Sequence, residues 1–248
     1  MQVPEKPRVI SYMDAQWFLR ASKFAFDVQL PNINPRKLTE TIAAANGWEV
    51  TAVRTYIEVP ESRESPFWSR LWTWRIQDLE TLGIAVKHTM QRTRTAFSMD
   101  GGVPHKVNVR SDLDTVLHLS LDAVTDVLLD NADVVLLFTS ENKYLETTEY
   151  LKAISRKNDK YLKIMSAFPY NAERPTCRFA GIDRTDWFPI DWSIYSTCTD
   201  FIRKPKLARK PTEDETTTDA DLDFSNIDRR DDRDNDSQQE DDFDSAAE

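Results

Sequence analysis

Apolar positions along the chain alternate between short continuous runs and longer stretches at helical spacing, and that alternation predicts the elements. Arg8-Val-Ile-Ser-Tyr-Met13 is a run of strand length, followed by Trp17, Phe18, Ala21, Phe24 and Ala25 at helical intervals. A buried strand feeding a helix is expected. Asn34-Pro35 supplies an N-cap with proline at the first helical position; Leu38, Ile42 and Ala45 continue an apolar face, and Asn46-Gly47 ends it. Trp48 to Ile57 predicts a second strand. Phe67 to Leu82 sets Trp68, Trp72, Ile76 and Leu79 on one helical face, closed by Gly83 before a third strand at Ile84–Thr89. These tryptophans read as core rather than as a cofactor stack.

Thr93–Met99 and Val103–Val109 flank Asp100-Gly101-Gly102, a turn signal between two alternating segments, so a hairpin excursion on the rim is expected. Ser111-Asp-Leu-Asp114 opens the clearest helix, in which Leu113, Val116, Leu117, Leu121 and Val124 to Leu128 are expected to supply the buried stripe. Asp133-Val-Val-Leu-Leu-Phe-Thr139 is a continuous apolar strand of the kind buried on both faces of a parallel sheet. A helix over Lys143–Ile154 and a strand over Tyr161–Met165 complete a further unit. Strands alternating with helices predict an α/β fold, a three-layer α/β/α sandwich around a mostly parallel central sheet.

Composition bounds this picture. In 248 residues, 40% of them hydrophobic, 7 Trp and 12 Phe suffice for one sizeable core. Two cysteines, Cys177 and Cys198, are too few for a disulfide framework and read as reduced thiols. Met1 to Arg8 is polar and no run of about 18 apolar residues occurs, so the expectation is a soluble cytoplasmic protein with no membrane partner.

The net charge of −10 misleads until it is divided. Residues 212–248 hold 16 acidic residues and 3 Arg, a net of −13, which leaves 29 basic against 26 acidic residues, or +3, in 1–211. Such an acidic segment buries too little apolar surface to offset its ordering entropy and is expected to be a disordered tail. Arg203–Lys210, with five cations in eight residues, reads as a basic linker before it. The expected organisation is a domain over 1–166, an aromatic extension over 167–202 packed back on it through Trp187, Phe188, Ile190 and Tyr195, and linker plus tail over 203–248.

Ligands of open parallel sheets bind outside the carboxyl ends of the strands. Asp14 follows the first strand, Thr139-Ser140-Glu141-Asn142-Lys143 follows the Val134–Phe138 strand, and Asp112 and Asp114 open the helix before it. Carboxylates gathered there are hard ligands suited to Mg²⁺ or Mn²⁺ and to phosphodiester cleavage. Each also has a plain structural reading: Ser111 with Asp114 fits a capping pattern, Asp112 sits where the helix dipole favours an anion, and Asp122 shares a solvated stripe with Thr115 and His118. Lys87, Arg92, Arg94, Lys106 and Arg110 make the hairpin region basic, as a phosphate-positioning surface or as a charge-balanced rim. His88, His105 and His118 are scattered. No Gly-rich phosphate loop, Cys-x-x-Cys, His-Glu-x-x-His or Gly-x-Ser-x-Gly occurs.

Taken together, Val9-Ile-Ser-Tyr-Met-Asp14, Arg110-Ser-Asp112-Leu opening a helix that later carries Leu-Asp122-Ala, and Asp133-Val-Val-Leu-Leu-Phe-Thr-Ser-Glu141-Asn-Lys143-Tyr resemble the NYN domain, a branch of the PIN-like nucleases, over about residues 8–166. The resemblance implies an α/β/α sandwich and a metal-dependent nuclease cleaving RNA, single-stranded by expectation. It implies Mg²⁺ or Mn²⁺ held by Asp14, Asp112 and Glu141 with Asp122 as an outer ligand, and phosphate contacts from Arg110, Lys106 and Lys143. The family's Asn three residues after the first Asp is Trp17 here, its Lys-Gly is Val109-Arg110, and its last acidic position is Lys143.

An ammonium within about 4–6 Å of a divalent cation repels it. If Lys143 points out of the cleft, the nuclease expectation stands. If Lys143 occupies the metal position in a salt bridge with Asp14 or Asp112, a degenerate member that binds RNA or a protein partner without cleavage is expected. The acidic tail fits either reading, since a −13 segment can mimic nucleic acid or capture a partner.

Overall fold

The computed structural model describes residues 2–100, 103–111, 113–174, 182 and 186–200, with the backbone alone for 92–100 and 103–111. The chain runs β1 (Arg8–Asp14), α1 (Ala15–Phe26), α2 (Pro35–Asn46), β2 (Glu49–Val59), α3 (Pro66–Thr81), β3 (Ala85–Met90), β4 (Arg92–Asp100), β5 (Val103–Ser111), α4 (Leu113–Leu128), β6 (Val134–Phe138), α5 (Leu145–Lys157), β7 (Lys163–Pro169), β8 (Trp187–Ile190) and α6 (Trp192–Thr197). A 3₁₀ turn at Asn142–Tyr144 joins β6 to α5.

The central sheet has six strands in the order β3-β2-β1-β6-β7-β8, and every neighbouring pair is parallel. β4 and β5 pair antiparallel apart from it. The sheet is thus wholly parallel, and the antiparallel pairing that a short turn permits is confined to the hairpin.

Alternation along the strands divides the core between two layers. Val9, Met13, Val134, Leu136 and Phe138 meet Trp17, Phe18, Leu38, Ile42 and Tyr195 on the face of α1, α2 and α6, while Val53 and Ile57 meet Trp72, Ile76 and Leu79 of α3. Ile10, Tyr12, Tyr56, Val135 and Leu137 meet Leu119, Ala123, Leu151 and Ile154 of α4 and α5 on the other face. Local signals set the helix ends. Asn34 accepts the Lys37 amide at the start of α2, and Gly47 stops it at φ 71°, a left-handed conformation that costs glycine nothing.

β7 runs past residue 166 to Pro169, and Trp187–Ile190 joins the sheet as its edge strand. Ile190 and Tyr195 are buried, Trp187 and Phe188 half-buried, and Cys198 is a buried free thiol. Cys177 and the expected linker and tail over 203–248 lie outside the described residues. No helix among the described residues is long and apolar enough to cross a membrane.

α4 departs from the expected stripe. Its buried residues are Thr115, Leu119, Ala123, Asp126 and Val127, whereas Leu113, Leu117, Leu121 and Leu128 are 51% to 65% exposed. The polar face is drawn to the sheet by partners waiting there. Arg54 of β2 donates Nε and Nη2 to Asp126, each at 2.9 Å, and the Tyr12 hydroxyl donates to the same carboxylate at 2.8 Å. Apolarity alone does not set this orientation, because a half-buried arginine and two buried tyrosines on the sheet each demand a polar partner.

Arg54→Ala leaves Asp126 buried without its cation and should cost about 3 kcal/mol of stability in urea unfolding. A loss under about 0.5 kcal/mol, the size of an ordinary surface change, would show that this pair does not orient α4.

Candidate functional site

Strand order reverses between β1 and β6: the chain winds outward through β2 and β3, then returns to the other side of β1. The crevice beyond the carboxyl ends of such a pair is where open parallel sheets bind ligands. Met13 pairs with Phe138 in register, so the next residues, Asp14 on one side and Thr139-Ser140-Glu141 on the other, meet at that crevice.

Asp14 is 2% exposed and caps α1, its Oδ1 accepting the Trp17 amide at 3.0 Å. Its Oδ2 accepts the Tyr144 hydroxyl at 2.9 Å and lies 3.1 Å from Lys143 Nζ. Lys143 is also ion-paired with Glu141, and Arg20 of α1 reaches Glu141 Oε1 at 3.2 Å. The 3₁₀ turn makes this possible. It turns the chain straight after Glu141, so that Lys143 and Tyr144, adjacent in sequence, both reach back to Asp14.

Of the expected site residues, the structure therefore brings Asp14, Glu141 and Lys143 together, with the lysine between the carboxylates. Asp122 is engaged elsewhere: the Tyr56 hydroxyl donates to its Oδ2 at 2.8 Å and Lys87 Nζ to its Oδ1 at 2.6 Å. Asp112 lies outside the described residues, and Arg110 and Lys106 are placed on β5 by backbone alone. Among the described residues no group of three His, Cys, Asp or Glu side chains is arranged to hold a metal ion. Among the described residues, the Lys143 ammonium stands between the Asp14 and Glu141 carboxylates, where the resemblance would put Mg²⁺ or Mn²⁺.

Sequence reading missed Arg20, Tyr144, Tyr56, Tyr12 and the Arg54–Asp126 pair. The signal was available in part. A tyrosine within a continuous apolar strand needs a partner for its hydroxyl, and Arg54 lies two residues before Tyr56, hence on the same face. Burial and carboxylates together hold both Tyr12 and Tyr56 above the ordinary phenol range, so they remain donors. Glu58, buried at the carboxyl end of β2, was also passed over.

The charges at the crevice act on one another. Burial pushes the Asp14 carboxyl up, but the Lys143 charge, the Trp17 amide and the Arg20 charge outweigh it and hold the group below its ordinary 3.8. Glu141 is pushed above its ordinary 4.5 by burial and by the Asp14 charge, against the pull of Lys143 and Arg20. Away from the crevice, the Arg8 hydrogen bonds hold Asp133 below 3.8.

No protein-family model and no curated protein matches the chain. Among solved structures, a protein of unknown function from Vibrio parahaemolyticus is similar at a TM-score of 0.47 and 17% identity, over 77% of this chain and 96% of that one. Acinetobacter baumannii MurG is similar at a TM-score of 0.32 and 10% identity, over 74% of this chain and 45% of that one.

The acid dependence of stability follows from the signs of these shifts. Asp14 and Asp133, with depressed folded values, contribute stability that is present above 3.8 and lost as pH falls through those values. Glu141 acts oppositely: the folded protein takes up its proton first, so acidification toward 4.5 adds stability. Urea midpoints should rise slightly toward that pH and fall below 3.8. Asp14→Asn should flatten the fall and Glu141→Gln remove the rise; an unchanged acid limb in Asp14→Asn would contradict this assignment.

Proposed function

We propose that this chain is an NYN-like protein that carries a lysine where its relatives would carry a metal ion, and that it binds RNA without cleaving it. The reading rests on one observation, Lys143 Nζ at 3.1 Å from Asp14 and ion-paired with Glu141. Two carboxylates, Lys143 and Arg20 sum to zero charge. A metal-dependent nuclease needs the opposite, an excess of negative charge that draws in a divalent cation and keeps it. Two unit charges 4 Å apart interact by about 4 kcal/mol near a protein surface, and a divalent ion doubles the repulsion from the ammonium.

Neutralisation also removes an obstacle to binding a polyanion. Asp122 and Asp126 are matched by Lys87 and Arg54, so the carboxylates on this face present little net charge to a phosphate backbone. The excess of basic residues in 1–211 and the cations of the β4–β5 hairpin, which follows β3 at the sheet edge, support the same reading.

The test is labelled single-stranded RNA incubated with the full chain in Mn²⁺, Mg²⁺ or EDTA, with binding measured on the same samples. Binding that persists in EDTA and no cleavage in any condition is expected. Metal-dependent cleavage that disappears in Asp14→Asn would restore the nuclease reading, and absence of binding would move the assignment to a protein partner. Lys143→Asp, which exchanges the ammonium for a third carboxylate, should raise Mn²⁺ affinity at least tenfold by water proton relaxation, whether or not RNA binds.

A further inference from the structure

The outward face of α4 is an apolar feature of the described surface that the cleft does not explain. Leu113, Leu117, Leu121 and Leu128 are each more than half exposed, and Val124 lies partly exposed among them. From Leu117 the spacing is four, three, four, the alternation of a coiled-coil seam held over the stretch from Leu117 to Leu128. Exposed leucines repeated on one stripe of a helix mark an interaction surface rather than scattered surface residues.

We infer that this stripe is the interface of a two-fold dimer, α4 packing antiparallel against α4 of a second copy. About a centre between Asp122 and Ala123, Leu117 meets Leu128 of the other copy, and Leu121 meets its Val124. The pattern is therefore self-complementary, as an isologous contact requires. The antiparallel setting also opposes the helix dipoles. From Leu117 to Leu128 the seam is flanked by His118, Ser120 and Thr125, with no Lys, Arg, Asp or Glu among them. Asp130, just past the helix, is held by Arg8 at 3.6 Å and Lys160 at 3.2 Å.

Charge excludes the nearer alternatives. The outward face of α4 carries no Lys or Arg, so it offers no cation to draw either RNA or the acidic tail, whose Leu222, Phe224 and Ile227 are interleaved with aspartates. Area sets the strength. The four leucines and Val124 present on the order of 400 Å² per copy. Tyr150 of α5 is 57% exposed and one turn beyond Thr147, which hydrogen-bonds Ser120 of α4 at 2.7 Å. With Tyr150 included, the buried total is roughly 1,000 Å², the lower end for a specific interface, so the dimer is weak and forms with concentration.

Sedimentation of the full chain over a dilution series tests this. The expected result is a mass that rises from one chain to two, with Leu121→Glu weakening association at least tenfold at an unchanged thermal midpoint, since the position is exposed. Oxidation of the Leu117→Cys/Leu128→Cys double variant should give a covalent dimer that wild type does not. A single chain at every concentration overturns the inference, as does a dimer indifferent to Leu121→Glu. Dimerisation seen only after removal of 212–248 would assign the face to the tail and overturn it equally.

Discussion

A carboxylate withdrawn from water must be met by a cation and by donors for its remaining lone pairs, and on the α4 face of this sheet that demand is met the same way three times. Asp14 receives Lys143 and the Tyr144 hydroxyl, Asp122 receives Lys87 and the Tyr56 hydroxyl, and Asp126 receives Arg54 and the Tyr12 hydroxyl. Each pairing joins different elements, so together they fix the rotation of α4 against β1, β2 and β3 and the path of the chain after β6. The outward leucines are a consequence. Once Asp122 and Asp126 are committed to the sheet, the helix has no second side on which to bury Leu117 and Leu121.

The same constraint gives the crevice its character. Asp14 and Glu141 stand at the reversal of strand order, where a ligand would be expected, and the residues that neutralise them come from α1 and from the turn behind Glu141. Lys143 is therefore part of the fold's own charge balance. Removing it would leave a buried aspartate relying on Tyr144, the Trp17 amide and a more distant arginine, a state that invites a cation from solution. The proposed loss of nuclease chemistry and the stability of the crevice are two aspects of one ion pair.

The layered architecture was legible because its signals are local and redundant. Val134–Phe138 is apolar at every position, Asn34-Pro35 and Gly47 mark both ends of α2, and the intervals between strands leave room only for helical crossovers. The place of Asp14 at the crevice was legible because it ends the first strand. The orientation of α4 was not, since its leucines outweigh its aspartates in any apolar pattern and the partners of Asp122 and Asp126 lie 66 and 72 residues away in sequence. The position of Lys143 was posed by the sequence as two alternatives. Only the turn at Asn142–Tyr144 decides between them, and its conformation depends on Asp14, which the chain brings there from 129 residues upstream.

The most direct measurement is a crystal of the full chain soaked in Mn²⁺ and recorded at the manganese edge. The account predicts no anomalous peak between Asp14 and Glu141, with the Lys143 side chain in density between them. A manganese peak bound to both carboxylates, with Lys143 swung out toward solvent, would contradict it.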